Sequence, residues 1–392
     1  MKAPIQLTLL ALAGTSLSKP VSSPEPICRD IKLTVTASAD NIDLPPFPND
    51  TSPTAFGRYA QSFNVSNLDT KRVGGTFNIA ATYCEPSRKI KGREHIIQFL
   101  LHGLGYTKEY WNGLNFPNVT YPGQYSWTHH ANSQGYATLA IDNLGDGESD
   151  HPDPISMVQL PLQEAIILEI FKSLRNKAIS CIPTKYSKII MVTHSYGALI
   201  GRAVATDHPH PATGADAYIQ TASSSELKGI NAAVLNWAPR AASVVDPARF
   251  SHLPPAYLQV APRAIRETVY GYPGEYDAEV LAWDESQLPK PFSIGQILPP
   301  KPNTASSFRG PVIYITGTHD AIVCDRAGNT TLLTTECAAG RDANPGLTAE
   351  KFPKARKFVA RVVKATGHNV NLHYSAHESF VAAHQLLTKM GF

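Results

Sequence analysis

The chain has 392 residues, 43% of them hydrophobic and 17% charged, with a formal net charge of +3. That balance gives ample length for one large core, whether built as one elaborated domain or as two, and excludes a disordered, low-complexity chain. The basic excess is too small to imply nucleic acid as a partner.

The start carries one cation, Lys2, then an apolar run over residues 5–13, then small residues over 14–18. This order reads as a secretory signal peptide cleaved near Ser18. The run is too short to span a bilayer, and no later stretch qualifies. Asn49, Asn64, Asn118 and Asn329 each head an Asn-x-Ser/Thr triplet. Beside a secretory start, these are glycan acceptor candidates. Five cysteines follow the signal: Cys28, Cys84, Cys181, Cys324 and Cys337. An odd number leaves one unpaired or in an intermolecular bond. We expect Cys324–Cys337 to tie a surface loop and Cys28–Cys84 to pin the N-terminal arm to an early strand. Cys181 would then be left over, although spacing alone does not fix connectivity.

Residues 19–89 form an N-terminal arm with edge strands, predicted at 31–37 and 75–83; the second alternates apolar and polar residues. A buried strand is predicted at 95–101, running into His102-Gly103-Leu104-Gly105, where glycines let the backbone aim N–H groups at a ligand. Another strand, 136–141, ends in Asp142-Asn143-Leu144-Gly145-Asp146-Gly147-Glu148-Ser149. Asp146 and Glu148 match no full calcium-loop pattern and read as a solvated turn. Apolar residues at helical spacing predict a covering helix over 160–174. Residues 217–220 suit a short strand. Residues 225–307 then turn rich in Pro, Ala and Tyr, with helix-like stretches at 262–269 and 275–283 and no strong strand pattern. This segment reads as an inserted helical lid between two parts of a core, 90–224 and 308–392. In the second part, strands are predicted at 311–317 and 358–364, and helices at 348–357 and 375–390.

The chemistry centres on Lys188 to Ala203. A β-branched apolar run turns at Thr193-His194-Ser195-Tyr196-Gly197 and continues into a helix of small residues. A serine at such a strand–turn–helix elbow is exposed at the tip of the sheet, with small flanking residues letting strand and helix pass closely. Thr193 stands at the position that the G-x-S-x-G form of the elbow gives to glycine. Serine needs a base, and the base needs an orienting group. Asp320 follows one predicted strand and His368 follows the last, so both fall at the sheet edge where ligands bind in open α/β sheets. The order Ser195, Asp320, His368 matches one known arrangement of such residues. The remaining histidines have plainer readings. His102 and His194 brace loops. His129, His130, His208 and His210 lack a ligand set, so no metal is expected. His373, His377 and His384 pack in or beside the last helix.

These segments together resemble an α/β-hydrolase-fold serine hydrolase, particularly secreted fungal members of that superfamily. The resemblance covers roughly residues 90–225 and 308–392. It rests on His102-Gly103, the Asp142–Ser149 loop, His194-Ser195-Tyr196-Gly197, Gly317-Thr318-His319-Asp320 and Gly367-His368. It implies a mostly parallel sheet flanked by helices, with Ser195 as nucleophile, His368 as base and Asp320 orienting the base. Backbone N–H groups of Leu104 and Tyr196 would form the oxyanion hole. The expected substrate is a small ester-type molecule, with no cofactor. A tailoring enzyme for lactone opening, acyl transfer or lyase chemistry, and a non-catalytic binding protein, are alternatives on the same fold.

Overall fold

Five apolar runs of five to seven residues, β3 (Ile96–Leu101), β4 (Ala137–Ile141), β5 (Lys188–His194), β6 (Ala217–Thr221) and β10 (Pro311–Gly317), form the centre of an eight-stranded sheet. The computed structural model describes residues 26–227, 238–260, 269–271, 273–287, 290–297, 304–324, 337–338, 340 and 343–392. The signal-like start, most of the expected helix at 262–269, and Asn329 lie outside the described residues.

The sheet order is β1-β2-β4-β3-β5-β6-β10-β11, with β1 (Ile27–Ile42) and β2 (Thr70–Glu85) at one edge and β11 (Lys357–Val363) at the other. The β1–β2 and β2–β4 pairings are antiparallel, and the remaining pairings are parallel. Parallel strands need cover on both faces, which is why their sequences are apolar at successive positions. Alternate residues divide accordingly. Leu100, Ile190, Val192, Ile219 and Ile315 join one core with Trp127, Phe380 and Leu387. Those last three come from α2 (Trp127–Ser133) and α6 (Ala376–Lys389). Phe99, Met191, Tyr218 and Tyr314 join the opposite core with Ile166, Phe171, Ile200 and Val204. Those residues come from α3 (Leu160–Asn176) and α4 (Tyr196–Asp207). A short N-terminal helix, α1 (Ala55–Gln61), lies outside the sheet proper and contributes Tyr59 to the first core.

The first two strands are longer than the sequence pattern suggested. They pair over their whole 16-residue lengths, with exposed residues alternating along β1 and Cys28 directly opposite Cys84. The expected helix over 348–357 is replaced by a 3-10 turn, Gly346–Lys351, followed by β11. Pro353 explains the difference, because a proline inside a helix removes a donor and clashes with the preceding turn. The 225–307 segment, expected as a helical insertion, holds strands as well. It contains α5 (Ala278–Ser286) and a small antiparallel sheet of β7 (Arg240–Ala241), β8 (Tyr257–Gln259) and β9 (Phe292–Ser293). Strands of two or three residues are too short to carry a visible alternation.

Glu164 on α3 is 8% exposed, and its Oε1 has no hydrogen-bond partner. Burial, with repulsion from Asp207 at the end of α4, pushes its carboxyl from 4.5 up to about 8. Tyr218 of β6 also lies within its electrostatic reach. The folded state therefore prefers the protonated acid. Its stabilising contribution is full below about pH 4.5 and is lost as pH rises toward 8. Buried histidines act in the opposite direction. Burial lowers His102 and His384 from 6.5 to about 4, so their contribution is present above 6.5 and lost as pH falls. Glu164→Gln should thus gain thermal stability relative to the parent as pH rises from 5 to 8. Paired melting curves at both values check this, and a pH-independent difference would count against the buried-acid account.

Candidate active site

Ser195 follows β5 directly and has φ 51° and ψ −115°, while the next residue already starts α4. A non-glycine residue with positive φ is costly, and its neighbours must allow the tight turn. Gly197 does so because a Cβ there would lie 2.6 Å from the Leu101 carbonyl oxygen. Gly103 does so on the opposite loop, where a Cβ would lie 2.9 Å from that of Ser195. Thr193 brings extra bulk to this crossing. Its methyl faces Gly201 of α4, where an added Cβ would sit 3.2 Å away. The helix thus gives up a side chain where the strand adds one.

Asp320 lies three residues after β10, and His368 lies five residues after β11. The structure brings both to Ser195. His368 Nε2 is 2.8 Å from Ser195 Oγ, and its Nδ1 is 2.8 Å from Asp320 Oδ1. The Asp320 side chain is fully buried and fixed from two further directions. The Val323 N–H donates to Oδ1 at 3.0 Å, and the Thr316 hydroxyl donates to Oδ2 at 2.5 Å. The loop that carries His368 packs around His373, whose Nε2 lies 2.9 Å from the Gly367 nitrogen and 2.6 Å from the Tyr270 carbonyl oxygen, and whose Nδ1 lies 2.8 Å from the Asn369 carbonyl oxygen. An imidazole held this way can take the serine proton as its oxygen attacks an electrophilic carbon.

Leu104 follows Gly103 on the loop facing Ser195, and Tyr196 is the first residue of α4. A helix's first N–H has no acceptor within the helix. His102 braces the same loop, accepting the Asn143 N–H at 3.0 Å and donating from Nδ1 to the Gly103 carbonyl at 2.8 Å. Burial keeps it neutral by lowering its pKa to about 4. His194 stacks on Tyr110 with ring centroids 4.3 Å apart. Burial, and then the nearby His368, holds it well below the ordinary histidine value.

The acidic loop after β4 departs from the expected solvated turn. Asp142 is fully buried and accepts the N–H groups of Lys108 at 2.7 Å and Glu148 at 2.9 Å. Burial raises it to about 6 despite the nearby Lys108 cation. Asp146 is buried too, and accepts a hydrogen bond from Gln296 at 2.7 Å. Burial pushes it well above the carboxylate range. The reason is tertiary: the 225–307 segment covers this turn, with Ser293 Oγ also bonding the Val158 carbonyl at 3.1 Å. Only Glu148 of the pair stays exposed.

No group of three or more His, Cys, Asp or Glu side chains is disposed to hold a metal ion among the described residues. His130 and His384 lie close, with centroids 4.8 Å apart. Both nitrogens of His384 are already engaged, by Gln98 at 2.9 Å and the Phe380 carbonyl at 2.7 Å.

The chain matches the profile of the alpha/beta hydrolase family over residues 99–383. It belongs to that family. Solved structures share its fold. A thermophilic esterase from Thermogutta terrifontis is 13% identical with a TM-score of 0.52, over 81% of this chain and 96% of the other. A soluble variant of monoglyceride lipase from Saccharomyces cerevisiae is 14% identical with a TM-score of 0.50, over 80% and 92%. No curated protein matches by sequence. Within this alpha/beta hydrolase, Thr316, Asn369 and His373 hydrogen-bond Asp320 or the loop that carries His368. From sequence His373 has only a packing reading, and Thr316 and Asn369 have none, because a buried hydrogen-bond partner leaves no spacing signature.

Both expected disulfides are present, Cys28–Cys84 and Cys324–Cys337, and Cys181 is free and partly exposed. The second bridge adjoins the loop that carries Asp320. The Cys324 N–H donates to the Asp320 carbonyl at 3.0 Å, and the Cys337 N–H donates to that of Thr318 at 2.7 Å. Its cysteines are 13 positions apart. Loop-closure entropy for that size gives about 3 kcal/mol of stabilisation. Cys337→Ser should lower the melting temperature and reduce kcat modestly. Calorimetry with steady-state kinetics checks both, and an unchanged melting temperature would remove the bridge from the stability account.

Proposed function

We propose that this alpha/beta hydrolase is a serine hydrolase that cleaves carboxylic esters, with lactones or thioesters as chemical equivalents. One observation carries the reading. A serine at φ 51° faces a histidine at 2.8 Å, and a fully buried carboxylate holds that histidine's other nitrogen at 2.8 Å. In this reading Ser195 Oγ attacks the ester carbonyl carbon while His368 Nε2 takes the hydroxyl proton. Asp320 keeps the imidazole in the required tautomer and stabilises the imidazolium. The carbonyl oxygen becomes an oxyanion, met by the N–H groups of Leu104 and Tyr196; one such donor typically contributes about 3–4 kcal/mol. The electron pair returns, the C–O bond to the alcohol breaks, and His368 protonates the departing alcohol. Water then attacks the acyl-enzyme with the same histidine as base, freeing the acid and Ser195. No cofactor takes part in this sequence. Two structural neighbours are named as an esterase and a lipase, which agrees with ester chemistry.

The 225–307 segment is read as the lid over this site. Its Val269 carbonyl accepts the Asn369 N–H at 2.9 Å, beside the proposed base. The protein is also read as secreted and N-glycosylated. Two disulfides suit an oxidising compartment, and Asn49, Asn64 and Asn118 are exposed. No helix among the described residues is long and apolar enough to cross a membrane. The resemblance to secreted fungal members agrees with that compartment.

Ser195→Ala should abolish turnover and fluorophosphonate labelling while leaving the melting curve intact. Asp320→Asn should lower kcat about 10,000-fold by favouring the wrong tautomer. Kinetics on a graded panel of p-nitrophenyl esters tests both, and a fully active Ser195→Ala protein would overturn the assignment. For the compartment, protein from a eukaryotic host should appear in the medium and lose mass on glycosidase treatment. Retention in the cytosol with no mass change would refute it.

A further inference from the structure

Asp284 on α5 is 1% exposed, although nothing about its helix position alone requires a carboxylate. Burying such a group is costly unless hydrogen bonds compensate. Its Oδ2 accepts the hydroxyls of Tyr106 at 2.9 Å and Tyr270 at 3.0 Å. The Tyr106 oxygen in turn accepts Asn369 Nδ2 at 2.6 Å. Tyr270 and Asn369 are completely buried, so water cannot readily replace these bonds.

The positions of these residues give the network its meaning. Asn369 directly follows His368. Tyr106 lies two residues beyond Leu104. Asp284 and Tyr270 belong to the 225–307 segment. One buried carboxylate therefore joins the loop of the proposed base, the loop of a proposed oxyanion donor, and the segment proposed as the lid. Backbone packing reinforces the junction, because a Cβ on Gly367 would lie 2.6 Å from the Tyr270 carbonyl carbon.

We infer that Asp284 is a positioning residue for ester cleavage: through Tyr106 and Asn369 it sets His368 against Ser195, making catalytic geometry depend on how the 225–307 segment is seated. The inference rests on the reading of Ser195 and His368 given above. Asp284 acts in this account through the hydroxyls of Tyr106 and Tyr270. Its loss should therefore appear in kcat, whereas a residue that only shaped substrate binding would change KM.

The test uses the full-length protein, p-nitrophenyl butyrate and fluorophosphonate inactivation, with circular dichroism to establish folding. Asp284→Leu should lower kcat about 100-fold, the scale of a displacement near 1 Å, with KM changed by less than about threefold. Asp284→Asn keeps an acceptor oxygen and should recover at least about tenfold of that loss, as expected for a hydrogen-bonding role. Tyr106→Phe should lower kcat about tenfold and inactivation in parallel, and its effect should be non-additive with that of Asp284→Asn. If Asp284→Leu does not fold, Tyr106→Phe decides the matter. A folded Tyr106→Phe or Asp284→Leu protein with parental kcat overturns the inference, as does a loss confined to KM or an Asp284→Asn protein no better than Asp284→Leu. Ser195→Ala separates the two levels. If it is active, the hydrolase reading itself fails. If it is inactive while Asp284→Leu turns over normally, only the positioning role fails.

Discussion

The close crossing of β3, β5 and α4 at Ser195 is the constraint on which the site depends. The strand delivers the serine to the sheet edge, and the helix begins one residue later. The backbone reaches φ 51° there only because Gly103 and Gly197 present no side chain to their neighbours. The strain is local and is held in place by a large buried sheet, since a packed core deforms little. A serine on a flexible loop would spend much of its time away from its base. Here the same sheet edge also carries the loops of Asp320 and His368, so three distant parts of the chain share one rigid reference.

Thr193 shows how that constraint tolerates variation. A β-branched residue two positions before the serine adds bulk where strand and helix meet. Gly201, in the second turn of α4, removes it again. The condition is that strand and helix together leave enough room, and either element can provide it. A motif written for one element therefore misses half of the requirement.

The 225–307 segment reaches the site through polar groups as well as by packing. Gln296 covers Asp146, Val269 accepts the Asn369 N–H, and Asp284 holds Tyr106. Buried polar groups are directional, and removing one partner leaves the other unsatisfied. This makes the segment's seating specific. A purely apolar contact would tolerate sliding, with consequences for the loops beneath.

Local sequence determined the central strands, the elbow and the order of Ser195, Asp320 and His368. Each is encoded by contiguous residues: a β-branched run, a small-residue helix start, or a polar residue just after an apolar stretch. The two disulfides were legible as pairs of choice but not as a unique solution, since spacing does not fix connectivity. Pro353 was also in plain view, yet the alternation of strands and helices still suggested a helix that the structure lacks. Other features were decided only by tertiary structure. Asp146 reads as a solvated turn until Gln296, 150 residues away, removes its water. Asn369 and Asp284 look like ordinary surface residues until Tyr106 links them across three segments. The physical reason is the same in each case. Secondary structure follows from short-range periodicity, whereas burial and hydrogen-bond partnership depend on groups the chain brings together only on folding.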